Sequence, residues 1–191
     1  NPDYLFYYSI PLERIAGIYE TMNQLDDAFE YYQKCLKIRN QLKDAYPKNP
    51  DYLYYYSISL ERIAGIYETM NQLNVAFKCY QECLKIRSGL KDAYPKNPDY
   101  LRNYSVSLEI LARIYESMSQ LDITFKYCQE GMENFRRLKD AYPENLNYLY
   151  DYYMSLNQVA KTCVKMNKLD NALRFYQEAL EIEKLLQDHN T

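Results

Sequence analysis

Tryptophan is absent from the 191 residues, and only four glycines and one histidine occur. With so little glycine, most of the chain is free to run as continuous helix. The one histidine, His189, stands close to the end and is expected to be exposed and inert. Without a second imidazole, histidine-based catalysis and histidine metal sites are excluded. There is no excess of positive charge either: 23 Lys and Arg face 26 Asp and Glu, a net charge of −3. A general nucleic-acid or anionic-membrane surface needs a basic excess, so neither partner is expected. No apolar run approaches the ~20 residues of a membrane span. No signal or transit segment opens the chain, and neither does an initiator Met. It begins at a repeat boundary and is therefore expected to be a fragment of a longer protein, from which a targeting segment could have been removed.

Cysteine is present without a pattern. Cys35, Cys79, Cys83, Cys128 and Cys163 are odd in number and irregular in spacing, and only Cys35 and Cys83 share a repeat phase. That argues against a disulfide framework and for a reducing, cytoplasmic compartment. Cys79 and Cys83, four apart, would share a helix face, but nothing completes a four-ligand site, so core packing is the simpler reading. Gly17, Gly65, Gly89 and Gly131 all fall within expected helices, so no phosphate-cradling loop exists. Paired carboxylates such as Asp26-Asp27 lie at expected helix caps. No active site and no cofactor are expected.

What is there is a period. Residues 44–53 and 92–101 both read DAYPKNPDYL, the chain opens with NPDYL, and 145–149 give NLNYL. Aligned at 48 residues, the copies are 1–48, 49–96, 97–144 and 145–191, and the first two agree at 39 of 48 positions. A strict long period marks a repeat architecture. In 49–96, Asn49 suits a helix cap, Pro50 the first helical position and Asp51 the positive helix end. Tyr52, Tyr56, Leu60, Ile63, Ala64, Tyr67 and Met70 then form one apolar stripe over about 20 residues. The helix is expected to stop near Asn71, and at Asn23, Ser119 and Asn167 in the other copies, since Asn tolerates the left-handed conformation. Asn74, with Asp26, Asp122 and Asp170, is expected to cap a second helix. Ala76, Phe77, Tyr80, Cys83 and Leu84 carry its stripe, and Pro95 ends it. One such hairpin cannot bury both stripes, whereas stacked hairpins can. The repeated phrase is thus a helix stop, a turn and a helix start.

These residues resemble the tetratricopeptide repeat family. Copy 1 supplies Leu12, Ile15, Ala16, Tyr19, Asn23, Leu25, Ala28, Tyr32 and Cys35 at the family's offsets, and copy 2 repeats them from Leu60 to Cys83. The pattern weakens in copy 3, with Thr124, Cys128 and Gly131, and returns in copy 4 with Ala160, Ala172, Tyr176 and Ala179. The 48-residue unit is longer than the usual one and is similar to the extended repeats of kinesin light chains. The resemblance implies an all-α fold: a right-handed α-solenoid of four stacked antiparallel hairpins, eight helices, forming one array. Tyrosines at 4, 52, 100 and 148, and at 8, 56, 104 and 152, would form ladders between repeats.

The resemblance also implies a concave groove lined by the first helix of each repeat and holding a peptide or protein segment. By position the lining is Ile10, Glu13, Gly17, Glu20 and Thr21, then Ile58, Glu61, Gly65, Glu68 and Thr69. Copy 3 gives Val106, Glu109, Arg113, Glu116 and Ser117, and copy 4 gives Met154, Asn157, Lys161, Val164 and Lys165. Acidic rows then run along three copies and basic residues gather in the last. Exposed ion pairs contribute only ~0.2–1 kcal/mol each, so Ile10, Ile58, Val106 and Met154 are the expected anchors. Tyr7, Tyr54 and Tyr55 could offer a stacking surface, but Arg102, Asn103 and Asp151 at equivalent places lack a ring, so packing is the simpler role for tyrosine. Pro11, inside the first helix, should cost ~3 kcal/mol or kink it, and residues 3–10 are expected to be bent or frayed. The favoured function is a non-enzymatic interaction scaffold. The alternatives are the regulatory array of a larger enzyme and an array that self-associates through uncapped ends. Single-stranded RNA binding ranks last.

Overall fold

The computed structural model describes residues 1–188, and His189 lies outside them. Eight helices follow one another: α1 (Pro2–Thr21), α2 (Leu25–Ala45), α3 (Pro50–Thr69), α4 (Leu73–Ala93), α5 (Pro98–Ser117), α6 (Leu121–Ala141), α7 (Leu146–Lys165) and α8 (Leu169–Asp188). No strand occurs among the described residues, so the fold is all-α, as the period requires. The chain forms two compact units, Asn1–Ala93 and Tyr94–Thr191, each holding two helical hairpins. No described helix is long and apolar enough to cross a membrane.

The corner signals act as their chemistry dictates. Asn1, Asn49, Asn97 and Asn145 each accept the backbone N–H two residues on, at 2.9–3.0 Å. Each first helix ends on a left-handed residue: Asn23 (φ 57°), Asn71 (59°), Ser119 (59°) and Asn167 (58°). At the first corner Gln24 N–H then reaches back to Tyr19 O at 2.9 Å and Asn23 N–H to Glu20 O at 3.0 Å, which satisfies the orphan carbonyls. Serine is the least suited of the four to this backbone. Ser119→Gly is expected to stabilise the second unit by about 0.5–1 kcal/mol, read as a higher urea midpoint. An unchanged or lower midpoint would contradict it.

Two local expectations are corrected. Asp26 and Asp122 do not cap the second helices: the N-cap positions of α2 and α6 are Gln24 and Gln120, two residues earlier, with no side-chain cap bond. The left-handed corner brings the chain round so tightly that the aspartates fall inside the first turn. Residues 3–10 are also not frayed, because α1 is unbroken from Pro2 to Thr21. Pro11 lies on an exposed face, and Ser9 Oγ donates to Phe6 O at 2.7 Å in the turn before it.

Small residues mark where the two helices of a hairpin cross. Ala16, Ala64, Ala112 and Ala160 are wholly buried, as are Ala28 and Thr124. Thr124 keeps its hydroxyl satisfied by donating to Gln120 O at 3.0 Å. In the first unit Tyr32, Ile63 and Ile66 pack over these crossings. In the second, Phe135, Tyr152, Leu156 and Val159 do. Tyrosines pair across repeat boundaries with the ring that closes the preceding repeat. Tyr52 sits edge-on to Tyr46 at the preceding helix end, 5.6 Å between centroids, and Tyr148 does the same with Tyr142. Tyr56, Tyr104 and Tyr152 donate to Glu82, Glu130 and Glu178 on the second helix of their own hairpin. A buried tyrosine keeps its hydroxyl satisfied by such a partner at the rim.

Candidate functional site

Each unit has a recess between the first helices of its two hairpins. In the first unit it measures about 800 Å³ and is lined by Ile10, Glu13, Arg14, Gly17, Glu20 and Thr21 of α1, Tyr32 of α2, and Tyr55 and Arg62 of α3. All five α1 residues placed in a groove by position are here. Ile58, Glu61, Gly65 and Glu68 are not among the lining; α3 contributes Tyr55 and Arg62 instead. In the second unit a recess of about 330 Å³ is lined by Glu109, Ile110, Arg113, Glu116, Met154, Gln158 and Lys161. Val106, Asn157 and Lys165 do not line it.

The electrostatics differ from a count of sequence charges. Glu13 belongs to a buried clasp built on Arg39 of α2, which is only 1% exposed. Arg39 donates to Glu13 Oε2 at 2.6 Å, to Ser9 Oγ at 3.1 Å, to Ser59 Oγ at 2.9 Å and to Tyr55 O at 3.1 Å. One guanidinium therefore ties α1, α2 and α3 together. Arg87 of α4 repeats the arrangement, donating to Glu61 and to Ser57 Oγ. Glu20 accepts from Tyr32 Oη at 2.8 Å and Glu68 from Tyr80 Oη at 3.2 Å. Burial and the Glu20 carboxylate together push the Tyr32 phenol well above its ordinary value. Glu13 and Glu61 are thus paired from behind by cations of α2 and α4, whereas Glu20 and Glu68 accept only neutral phenol hydroxyls and keep their charge. What the first recess offers to solvent includes two exposed guanidiniums, Arg14 and Arg62.

The sequence reading missed the clasp. A signal existed: Arg39 falls in phase with Tyr32, Cys35 and Leu42 on the buried stripe of α2. A charge in that phase must be paired, because an isolated buried cation is far too costly.

The second unit is wired differently. Phe135 stands where α2 and α4 carry Arg39 and Arg87, and it is 1% exposed. Glu109, the counterpart of Glu13 and Glu61, has therefore lost its buried cation. The nearest compensation is an ion pair between the first helices, Arg102 to Asp151, with two bonds at 2.6 and 3.0 Å. It occupies the place of the Phe6–Tyr55 ring contact of the first unit, 4.9 Å between centroids. Burial first, and the Asp151 charge second, push the Glu109 carboxyl up to about 7, with Arg102 opposing. Lys165 Nζ lies 2.9 Å from Glu116 Oε1, so part of the basic group of copy 4 is spent on a neighbouring carboxylate.

Gly17 and Gly65 lie within helices, at a cost of ~1 kcal/mol each relative to alanine. A Cβ at either would meet only a tyrosine hydroxyl, at 3.8 and 3.9 Å, which is ordinary contact. Packing within the hairpin does not demand glycine there. No group of His, Cys, Asp and Glu among the described residues is arranged to hold a metal ion.

The Tetratricopeptide repeat profile matches residues 12–42, 59–89 and 155–184. No curated protein sequence matches the chain. Among solved structures, BtubC (BKLC) from P. vanneervenii superposes with a TM-score of 0.72 at 16% identity, over 98% of this chain and 66% of that one. Aspartyl phosphate phosphatase F from Bacillus subtilis gives 0.70 at 14% identity, over 96% of this chain and 42% of that one. A MamA protein gives 0.52 at 12% identity, over 96% of both chains. The chain thus spans less than two thirds of the length of the first two. The unmatched third repeat is the one in which Thr124, Cys128 and Gly131 depart from the pattern of the others.

Proposed function

Three of the four repeats of this chain are tetratricopeptide repeats, and on that premise we propose that it is a non-enzymatic scaffold holding an extended protein segment in the recess of its first unit. The observation that carries the reading is the composition of that recess. Ile10 supplies an apolar anchor, Gly17 leaves the helix backbone open to a ligand chain, and Arg14 and Arg62 stand exposed beside them. With Glu13 committed to Arg39, the partner that fits carries carboxylates beside an apolar side chain. Basic peptides, which the bare sequence would favour, fit less well. Each exposed ion pair adds only ~0.2–1 kcal/mol, so charge selects the partner while burial of its apolar side chain holds it.

Fluorescence anisotropy with labelled peptides tests this. Peptides pairing an apolar residue with Asp or Glu are expected to bind, and their Lys counterparts to bind more weakly. Arg14→Glu with Arg62→Glu should weaken the acidic peptides by about tenfold or more. Equal binding of both peptide sets, or an unchanged affinity in the double variant, would refute the reading.

A further inference from the structure

The second unit keeps the acceptors of the arginine clasp and lacks its donor. Glu109, Ser105 and Ser155 stand two periods on from Glu13, Ser9 and Ser59, and Phe135 holds the place of Arg39. The two serines are as buried as their counterparts and turn to the backbone instead. Ser105 Oγ donates to Leu101 O at 2.9 Å and Ser155 Oγ to Tyr152 O at 2.7 Å. Glu109 has found no such substitute: among the described residues no hydrogen bond or ion pair ends on its carboxyl. Its stem lies along Gly131 of α6, where an added Cβ would meet Glu109 Cγ at 3.7 Å. The place from which Arg39 reaches Glu13 is filled by the buried Phe135 ring. The side left open to a cation is the recess between α5 and α7, which Glu109 helps to line.

We propose that this second recess is a subsite for an arginine side chain of a protein segment, whose guanidinium supplies to Glu109 the cation that the chain itself has lost, while an acidic neighbour of that arginine meets Lys161. The surrounding charges are accounted for. Arg102 is held by Asp151 and Lys165 by Glu116, and the Cys128 thiol of α6, pushed up to about 11, stays neutral near pH 7. Arg113 and Lys161 are exposed at the recess, so a bare cation is opposed there and one accompanied by a carboxylate is not. A guanidinium suits Glu109 better than an ammonium, because its planar fork pairs with both carboxylate oxygens and is more weakly hydrated. Ile110 and Met154 offer apolar surface to its stem. At about 330 Å³ the recess is at the small end of ligand sites, which suits one long side chain. Burial holds the Glu109 carboxyl up to about 7, and a bound guanidinium reverses that by favouring the ionised form. The proposal does not rest on the first recess, whose exposed guanidiniums call for the opposite charge.

Calorimetric titration of the whole chain with acetyl-Arg-Glu-amide tests the proposal. Binding is expected at pH 8 and should be about tenfold weaker at pH 6, where about nine-tenths of the Glu109 carboxyl is protonated. The same dipeptide with neutral citrulline in place of arginine should not bind. Glu109→Gln is expected to abolish binding at both pH values with helix content unchanged. Phe135→Arg should abolish it as well, by returning an internal guanidinium to Glu109. Lys161→Glu should weaken acetyl-Arg-Glu-amide while leaving acetyl-Arg-amide no worse. Arg14→Glu with Arg62→Glu should change nothing, which separates this site from the first recess. Failure of the wild type to bind at pH 8 would overturn the proposal. So would binding that survives Glu109→Gln, that ignores pH, or that accepts citrulline equally. N-acetyl-arginine binding more tightly than the dipeptide would overturn the protein segment as the source of the guanidinium.

Discussion

Arg39→Ala is expected to lower the stability of the first unit by about 3–5 kcal/mol, the range for removing one partner of a buried, hydrogen-bonded ion pair. Four acceptors on α1 and α3 lose their donor at once, and Ser9 and Ser59 are themselves buried. Glu13→Gln should cost less, because Glu13 is 22% exposed and water can take up part of the loss. Glu13→Gln with Arg39→Met should recover much of the stability, since an apolar side chain of similar volume leaves no buried charge behind. The second unit has made only half of this exchange, with Phe135 in place of the arginine and Glu109 kept. Urea unfolding of the three variants separates these cases. Equal losses from the two single changes, or no recovery in the double, would show that Arg39 is a surface-like pair after all.

The second unit should be less stable at neutral pH than in mild acid, and Glu109→Gln should remove the difference. In the unfolded chain this carboxyl titrates near 4.5, while in the folded unit it titrates at about 7. Between those values the folded state holds a proton that the unfolded state has released, so stability falls as pH rises. The contribution is complete below pH 4.5, is lost as pH rises through 7, and stays lost above. At about 1.36 kcal/mol per pH unit, the whole effect is on the order of 3 kcal/mol. At pH 8 Glu109→Gln is therefore expected to be the more stable protein by that order, and at pH 4 the two should nearly coincide. Thermal midpoints across pH 4–8 read this directly. Parallel curves for the wild type and the variant would dispose of it.

Both predictions rest on features that a single copy does not disclose. The hairpins were legible because their signals are local: Asn at each start, followed by Pro-Asp in three of the four, Asn or Ser at each corner, Ala where the helices cross. The five α1 residues lining the first recess were legible for the same reason, since position in the repeat fixes the helix face. The charge of that recess was not legible, because Glu13 is neutralised by a residue 26 positions away on another helix. Comparing copies would have revealed it. Arg39 and Arg87 recur on a buried stripe, and Phe135 replaces them where Glu109 persists. Arg102 and Asp151 likewise change together with the loss of two aromatic rings, a coordinated exchange visible only when three-dimensional neighbours are known. The caps of the second helices were misplaced by two residues because a tight left-handed corner consumes less chain than a capped loop.

The cysteines give each hairpin a reporter of its own. Cys35, Cys83, Cys128 and Cys163 are buried thiols outside any disulfide, one to each repeat. Burial raises the Cys35 and Cys163 thiols and pushes Cys128 up to about 11, so little thiolate exists even where a reagent could reach it. Alkylation must then wait for the hairpin that holds the sulfur to breathe. Because the thiol positions are spread along the sequence, the order in which they are consumed under native conditions traces the order in which the repeats come apart.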